Sequence, residues 1–154
     1  MLQLSSIMSS FLVSKHMLVH YLLALLAASS TFLITASVGW SVFSSLTALL
    51  IDVDHLFDFF LARGISLDLS RMLKESWKGE YFEESGKVFV LLHSWELLVL
   101  VWVLSSLFGW RNFAVAFSFG FVLHMLWDQI CFAKRPLMYS FIFRVLNHFD
   151  LGKI

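Results

Sequence analysis

The sequence predicts an all-α integral membrane protein: a bundle of four transmembrane helices with a cytoplasmic loop and an interfacial C-terminal helix, in a single domain of 154 residues. Three observations predict it. The chain is 59% hydrophobic and 17% aromatic, with a mean hydropathy of +0.81. Only 14% of it is charged, against about 25% in an ordinary soluble domain, so its solvent is a bilayer. Four apolar stretches have the roughly 20-residue length that a helix needs to cross about 30 Å of hydrocarbon. Finally, ten of the 11 basic residues fall on one side of the connections those stretches define.

The first span, Met17 to Val38, carries Ser and Thr as its polar members besides His20. The second, Trp40 to Ala62, opens with a clean run to Ile51 and is then interrupted by Asp52, Asp54, His55 and Asp58. The third runs from Val88 to Phe108 with His93 and Glu96 as its strongly polar residues, and the fourth from Phe113 to Ala133. Tight turns at Val38 to Ser41 and Gly109 to Asn112 hold Arg111 alone. Lys15, five bases from Arg63 to Lys87, and Lys134, Arg135, Arg144 and Lys153 lie opposite. That bias places both termini and loop 63–87 in the cytoplasm of a cell inner membrane, with Trp40 and Trp110 in the opposite interfacial belt. A signal peptide is the weaker reading of the N-terminus, because no base precedes Lys15 and the apolar run is long. The tail after Pro136, Leu137 to Phe149, suits a helix lying in the cytoplasmic interface.

The net charge is zero, with 11 basic and 11 acidic residues, which argues against a nucleic-acid partner. The only cysteine, Cys131, cannot form an internal disulfide. Five acids lie inside the spans, Asp52, Asp54, Asp58, Glu96 and Asp128, without a Lys or Arg among them. Each costs a few kcal/mol at membrane depth, so the group must be protonated, hydrated or bound to a cation. At 1.5 Å per residue all five, with His20, His55, His93 and His124, sit roughly 5 to 15 Å below the cytoplasmic surface.

On continuous helices His93 and Glu96 (i,i+3), His124 and Asp128 (i,i+4), and Asp54 and Asp58 (i,i+4) each share a face. Asp52 joins them only if the backbone unwinds near Asp52 to His55, which is tolerated where it lines a buried cavity. Imidazoles and carboxylates converging inside a helix bundle hold one or two divalent metals, and a set without thiolates suits Zn, Mn or Fe. The candidate ligands are therefore His20, Asp52, Asp54, His55, Asp58, His93, Glu96, His124 and Asp128. Asp54, Glu96 and Asp128 are the candidate catalytic carboxylates, one of them serving as general base toward metal-activated water. Against this stands a bland reading in which the same pairs are polar clamps between helices.

The strings Ile51-Asp52-Val53-Asp54-His55, His93-Ser94 and Gly120-Phe121-Val122-Leu123-His124 followed by Asp128 resemble, in order and spacing, the YdjM-like membrane-bound metal-dependent hydrolases. Ile51 and Leu92 stand where that family has proline and threonine, and its His-Arg-Gly run is missing between Lys87 and Leu92; Glu96, one turn from His93, is placed to compensate for the lost histidine. The resemblance implies a metal site and hydrolase chemistry, with His20 as its N-terminal histidine.

Together these readings predict a hydrolase of an ester, amide or phosphoester, acting on a lipid-like substrate from the cytoplasmic leaflet. Lys134, Arg135 and Arg144 would meet the headgroup. A divalent-metal carrier would need polar residues continuing toward Trp40 and Trp110, where only Ser and Thr occur. A di-iron lipid oxidoreductase would need several His-x-x-x-His boxes, and the sequence holds one, His16 to His20; a haem would sit poorly among five carboxylates. A non-catalytic membrane protein with a structural polar cluster is the remaining alternative.

Overall fold

A computed structural model describes the backbone of residues 2–65, 80–133 and 135–154, and the side chains of 18–65, 81–133 and 135–154. The described residues form helices joined by turns, with one isolated β-bridge between Lys87 and Asp150. The helices are α1 (Leu2–Thr35), α2 (Val38–Leu50), a 3₁₀ turn (Ile51–Asp54), α3 (His55–Arg63), α4 (Glu80–Ser85), α5 (Trp95–Phe108), α6 (Arg111–Cys131) and α7 (Phe141–Leu146).

Two helices are long and apolar enough to cross a membrane, Leu18–Thr35 within α1 and all of α6. The second and third predicted spans are not continuous helices, and each departs for a physical reason. Trp40 to Ala62 is divided by the 3₁₀ turn at Ile51–Asp54, whose two carboxylates are drawn to His93, His124 and the Leu92 amide on other segments. Val88 to Phe108 becomes helical only at Trp95, because carboxylates from outside the segment take the amide protons that a helix would use. The tail helix is shorter than predicted, six residues rather than the stretch 137–149. Most of loop 63–87, residues 66–79, lies outside the described residues, as does Lys134.

The first turn forms at Ala36 and Ser37, two residues before the predicted one. Ser37 caps α2, its hydroxyl accepting from the Trp40 amide at 3.4 Å, and so satisfies one of the free N–H groups at a helix start. At the other connection Gly109 takes φ 72° and returns its N–H to the Ser105 carbonyl, the left-handed helix end for which glycine carries no Cβ penalty.

Helices α1, α2 and α6 pack against one another, and α5 lies on α6. The buried stripe of α1 is His20, Ala24, Ala27 and Thr31, and that of α2 is Ser41, Ser44 and Ala48. Both follow the three- and four-residue steps of one helix face. Their small side chains let the backbones approach closely, as at Gly120 of α6 against Ser44 and Ala48 of α2. Large apolar residues face outward instead: Leu22, Leu25 and Leu33 on α1, Val42 and Leu46 on α2, and Val99, Val103 and Leu107 on α5 are all exposed.

Candidate metal centre

The polar residues converge where the 3₁₀ turn meets α6. His124 and Asp128 sit one turn apart on α6, buried at 0% and 5% exposure. The 3₁₀ turn swings Asp52 off the far side of its helix and toward them. It places Asp52 Oδ1 3.2 Å from His124 Nε2 and 3.3 Å from His93 Nε2. His93 comes from the non-helical segment just before α5. Its Nε2 is 3.2 Å from His124 Nε2 and 3.3 Å from Asp128 Oδ2, and the latter is 3.1 Å from His124 Nε2.

Five distances of 3.1 to 3.3 Å among four ligand-type atoms match the edge of a tetrahedron. Metal–ligand bonds of about 2.0 Å imply an edge of about 3.3 Å. The tautomers agree with that geometry. His124 Nδ1 lies 2.8 Å from the Ala48 carbonyl oxygen, which only accepts, so Nδ1 carries the proton and Nε2 offers its lone pair. His93 Nδ1 lies 3.1 Å from Asp54 Oδ2, which fixes it as the donor in the same way. A histidine whose other nitrogen donates to a carbonyl or carboxylate is the usual form of a metal-ligating imidazole. With both Nε2 atoms bare, four lone pairs face one point; with both protonated, two cationic N–H groups would stand 3.2 Å apart. A divalent cation relieves both conflicts. Asp52, His93, His124 and Asp128 could therefore hold one.

The other predicted ligands surround this set in different roles. Asp54 Oδ2 accepts from the Leu92 amide at 2.7 Å and the His93 amide at 3.3 Å besides the His93 ring, so it orients a ligand. Asp54, His55 and His93 also lie within metal-binding reach of one another, but the Nδ1 that His93 would offer is committed to Asp54. Asp58 is 3% exposed, and its carboxylate accepts from the Phe89 and Val90 amides at 2.7 and 2.8 Å. Glu96 points away to the tail, where it accepts from the Ser140 hydroxyl at 2.5 Å and the Phe141 and Ile142 amides at 2.9 and 3.2 Å. Asp58 is thus a clamp on non-helical backbone, whereas Glu96 receives the free amides at the start of α7; Glu96 does not replace a histidine at the centre. A buried backbone N–H left without an acceptor is costly, and the Asp58 carboxylate meets that need for Val90.

His20 is buried with Nε2 3.9 Å from Asp128 Oδ1 and its ring centroid 4.5 Å from that of His124, beside the four but outside their tetrahedron. His55 lies on the open side near Asp52, its Nε2 3.7 Å from Asp52 Oδ1 and its Nδ1 2.8 Å from the Tyr81 hydroxyl. Asp52 is the most exposed of the four, at 28% of its side chain. Sequence reasoning missed Tyr81, Tyr139 and the Ala48 carbonyl. Tyr81 is wholly buried against Phe59, and burial pushes its phenol above the ordinary range, as it does for Tyr139, so both keep their protons. Nothing in the sequence around Tyr81 singles it out.

Of the predicted headgroup residues, Arg135 is exposed and donates to the Lys153 carbonyl and, at 3.3 Å, to the Gly152 carbonyl. Arg144 is 0% exposed, facing protein rather than any headgroup, and burial lowers its guanidinium from the ordinary value. No family model, no curated protein and no solved structure matches the chain.

Proposed function

We propose that this chain is a membrane-embedded metal-dependent hydrolase, holding one divalent cation on Asp52, His93, His124 and Asp128 and acting on an ester or phosphoester of lipid-like character. The observation that carries the reading is the set of five 3.1 to 3.3 Å separations among two imidazole nitrogens and two carboxylate oxygens. The ligand mixture and edge length favour zinc. The same four residues lie in the motifs that resemble the YdjM-like hydrolases. Such a cation would polarise a carbonyl or phosphoryl oxygen and make water nucleophilic at neutral pH only by taking a fifth ligand or exchanging one of the four, because four protein ligands close a tetrahedral zinc site; Asp52, the most exposed of them, is the one placed to yield. This chain's residues supply the rest: Asp54 and the Ala48 carbonyl hold the imidazoles in one tautomer, and Asp52, the most exposed of the four, marks the side open to substrate. Asp54 and Glu96 are engaged by backbone amides and Asp128 belongs to the ligand set. His55, beside Asp52 on the open side, is the nearest basic group outside that set.

Four crossings remain the reading best supported by charge and by the outward apolar side chains. The second would be α2, the 3₁₀ turn and α3, spanning about 40 Å if straight. The third would be α5, about 21 Å long, extended by segment 88–94, whose amides Asp54 and Asp58 satisfy. Both termini would be cytoplasmic. A Glu83→Cys probe in a Cys131→Ser background should react with a membrane-impermeant maleimide only when the cytoplasmic face is opened. Labelling of intact cells would reverse the orientation.

The purified chain should retain about one equivalent of zinc under non-chelating conditions and cleave a lipid ester or phosphoester, with turnover lost on chelation and restored by zinc. Bound zinc without turnover on either substrate class would leave a structural site, and zinc flux into vesicles would indicate a carrier.

A further inference from the structure

Arg144 is the largest fully buried side chain in the described structure. Its guanidinium, which keeps its proton in proteins, forms no ion pair among the described residues. Its donors go to backbone carbonyls instead: Nη1 to His93 at 2.9 Å and to Met138 at 3.4 Å, and Nη2 to Val90 at 3.2 Å. A buried cation spent on carbonyl oxygens is costly, and two of the three belong to the turn that presents His93.

That turn is strained. Val90 has φ 32°, a conformation that a β-branched residue adopts only when its surroundings impose it. Asp58 holds the Val90 N–H from one side at 2.8 Å, and Arg144 holds its carbonyl from the other. The Val90 carbonyl also accepts the His93 amide at 3.0 Å, closing the turn on the ligand. The tail that brings Arg144 here is fixed along the same segment. Val88 donates to the Phe149 carbonyl at 3.0 Å, Lys87 Nζ to the His148 carbonyl at 2.7 Å, Trp95 to the Tyr139 carbonyl at 3.1 Å, and Ile154 packs on Val88 and Val90. Glu96 anchors the start of α7 from the opposite end.

We infer that Arg144 is a positioning residue for the metal centre: through it the folded-back tail, Tyr139 to Ile154, holds the strained Val90–His93 turn in the shape that delivers His93 Nε2 to Asp52, His124 and Asp128. The inference rests on the metal-site reading. Asp54 sets the His93 ring, whereas Arg144 sets the backbone from which the ring hangs. The planar fork reaches both carbonyls at once, which a lysine ammonium does not reproduce.

Titration of the purified, detergent-solubilised chain with Zn2+, and with Co2+ as a spectroscopic probe of ligand geometry, tests it. Arg144→Met should weaken both metals about 10- to 100-fold, the usual effect of removing a group that orients a ligand, and change the visible spectrum of bound Co2+. Arg144→Lys should recover part of the affinity, and it alone carries the test if Arg144→Met is not recovered folded. Leu146→Ala, on the exposed side of α7, should leave affinity and spectrum unchanged. Parent-like affinity and Co2+ spectrum in both Arg144 variants, with only a lowered melting temperature, would make Arg144 a general stabiliser and overturn the inference while leaving the metal site standing. Failure of the parent itself to bind either metal would remove the metal site and the inference together.

Discussion

Replacing His124 with alanine should remove metal from the purified protein, and Asp128→Ala should do the same. A four-ligand zinc site is worth about 10 to 16 kcal/mol, so losing one ligand costs about 3 kcal/mol or more, on the order of a hundredfold in affinity. His124 has further reach because its ring touches both His93 and His20 and ties α6 to α2 through the Ala48 carbonyl. The informative contrast is with the acids that do not face the centre. Glu96→Gln and Asp58→Asn should keep the metal, because those carboxylates end on the amides of Phe141 and Ile142 and of Phe89 and Val90. Asp58→Asn should instead lower stability by about 1 to 3 kcal/mol, the cost of a buried donor left without its acceptor, and Glu96→Gln by less, because its amide partners are exposed and the Gln oxygen still accepts. Metal stoichiometry by elemental analysis, set beside thermal melts of the chelated proteins, separates the two classes. Glu96→Gln losing metal as fully as His124→Ala would return Glu96 to the ligand set.

Some of this division was readable from residue letters and some was not. His124 and Asp128 lie on an unbroken helix, so the four-residue spacing translates directly into a shared face. The need for an unwound backbone around Asp52 was also legible, since a continuous helix would turn that carboxylate away; the 3₁₀ turn occupies that stretch. The same logic failed for His93 and Glu96. Their spacing is helical but their backbone is not, because Ser94 is extended and α5 begins at Trp95. His93 therefore faces the centre while Glu96 faces the tail. Of the five acids, two meet the metal-sized gap, Asp54 and Asp58 serve amides of the irregular segment 89–93, and Glu96 serves the start of α7; a sequence does not disclose which backbone will fold alongside which carboxylate. The Ala48 carbonyl has no letter of its own at all. Arg144, adjacent in sequence to tail residues of interfacial character, turns inward because the carbonyls of Val90 and His93 have no helix to occupy them.

Gly120→Ala should be the most disruptive conservative substitution in the molecule. A methyl group there would stand well inside contact of the Ser44 carbonyl oxygen, 2.8 Å from Thr47 Cβ and 3.0 Å from the Ala48 nitrogen. Two of those atoms are backbone of α2, so no rotamer change accommodates the methyl and the two helices must separate. Alanine gains about 1 kcal/mol over glycine in helix propensity, whereas overpacking a close contact costs about 1 to 3 kcal/mol and more where backbone must move; the clash wins. Its effect then passes to the metal centre. Moving α2 away from α6 carries off the Ala48 carbonyl that holds His124 Nδ1, and with it the 3₁₀ turn that presents Asp52. Zinc affinity should therefore fall about 10- to 100-fold, as when an orienting partner is lost, although residue 120 touches no metal ligand through its side chain. Gly39→Ala supplies the control, since its methyl would meet nothing closer than Ser37 Oγ at 3.8 Å on the exposed first turn of α2. Zinc affinity and melting temperature should stay at parent values in Gly39→Ala and both should drop in Gly120→Ala. A Gly120→Ala protein that melts lower but binds zinc like the parent would show that the centre is assembled independently of the α2–α6 contact.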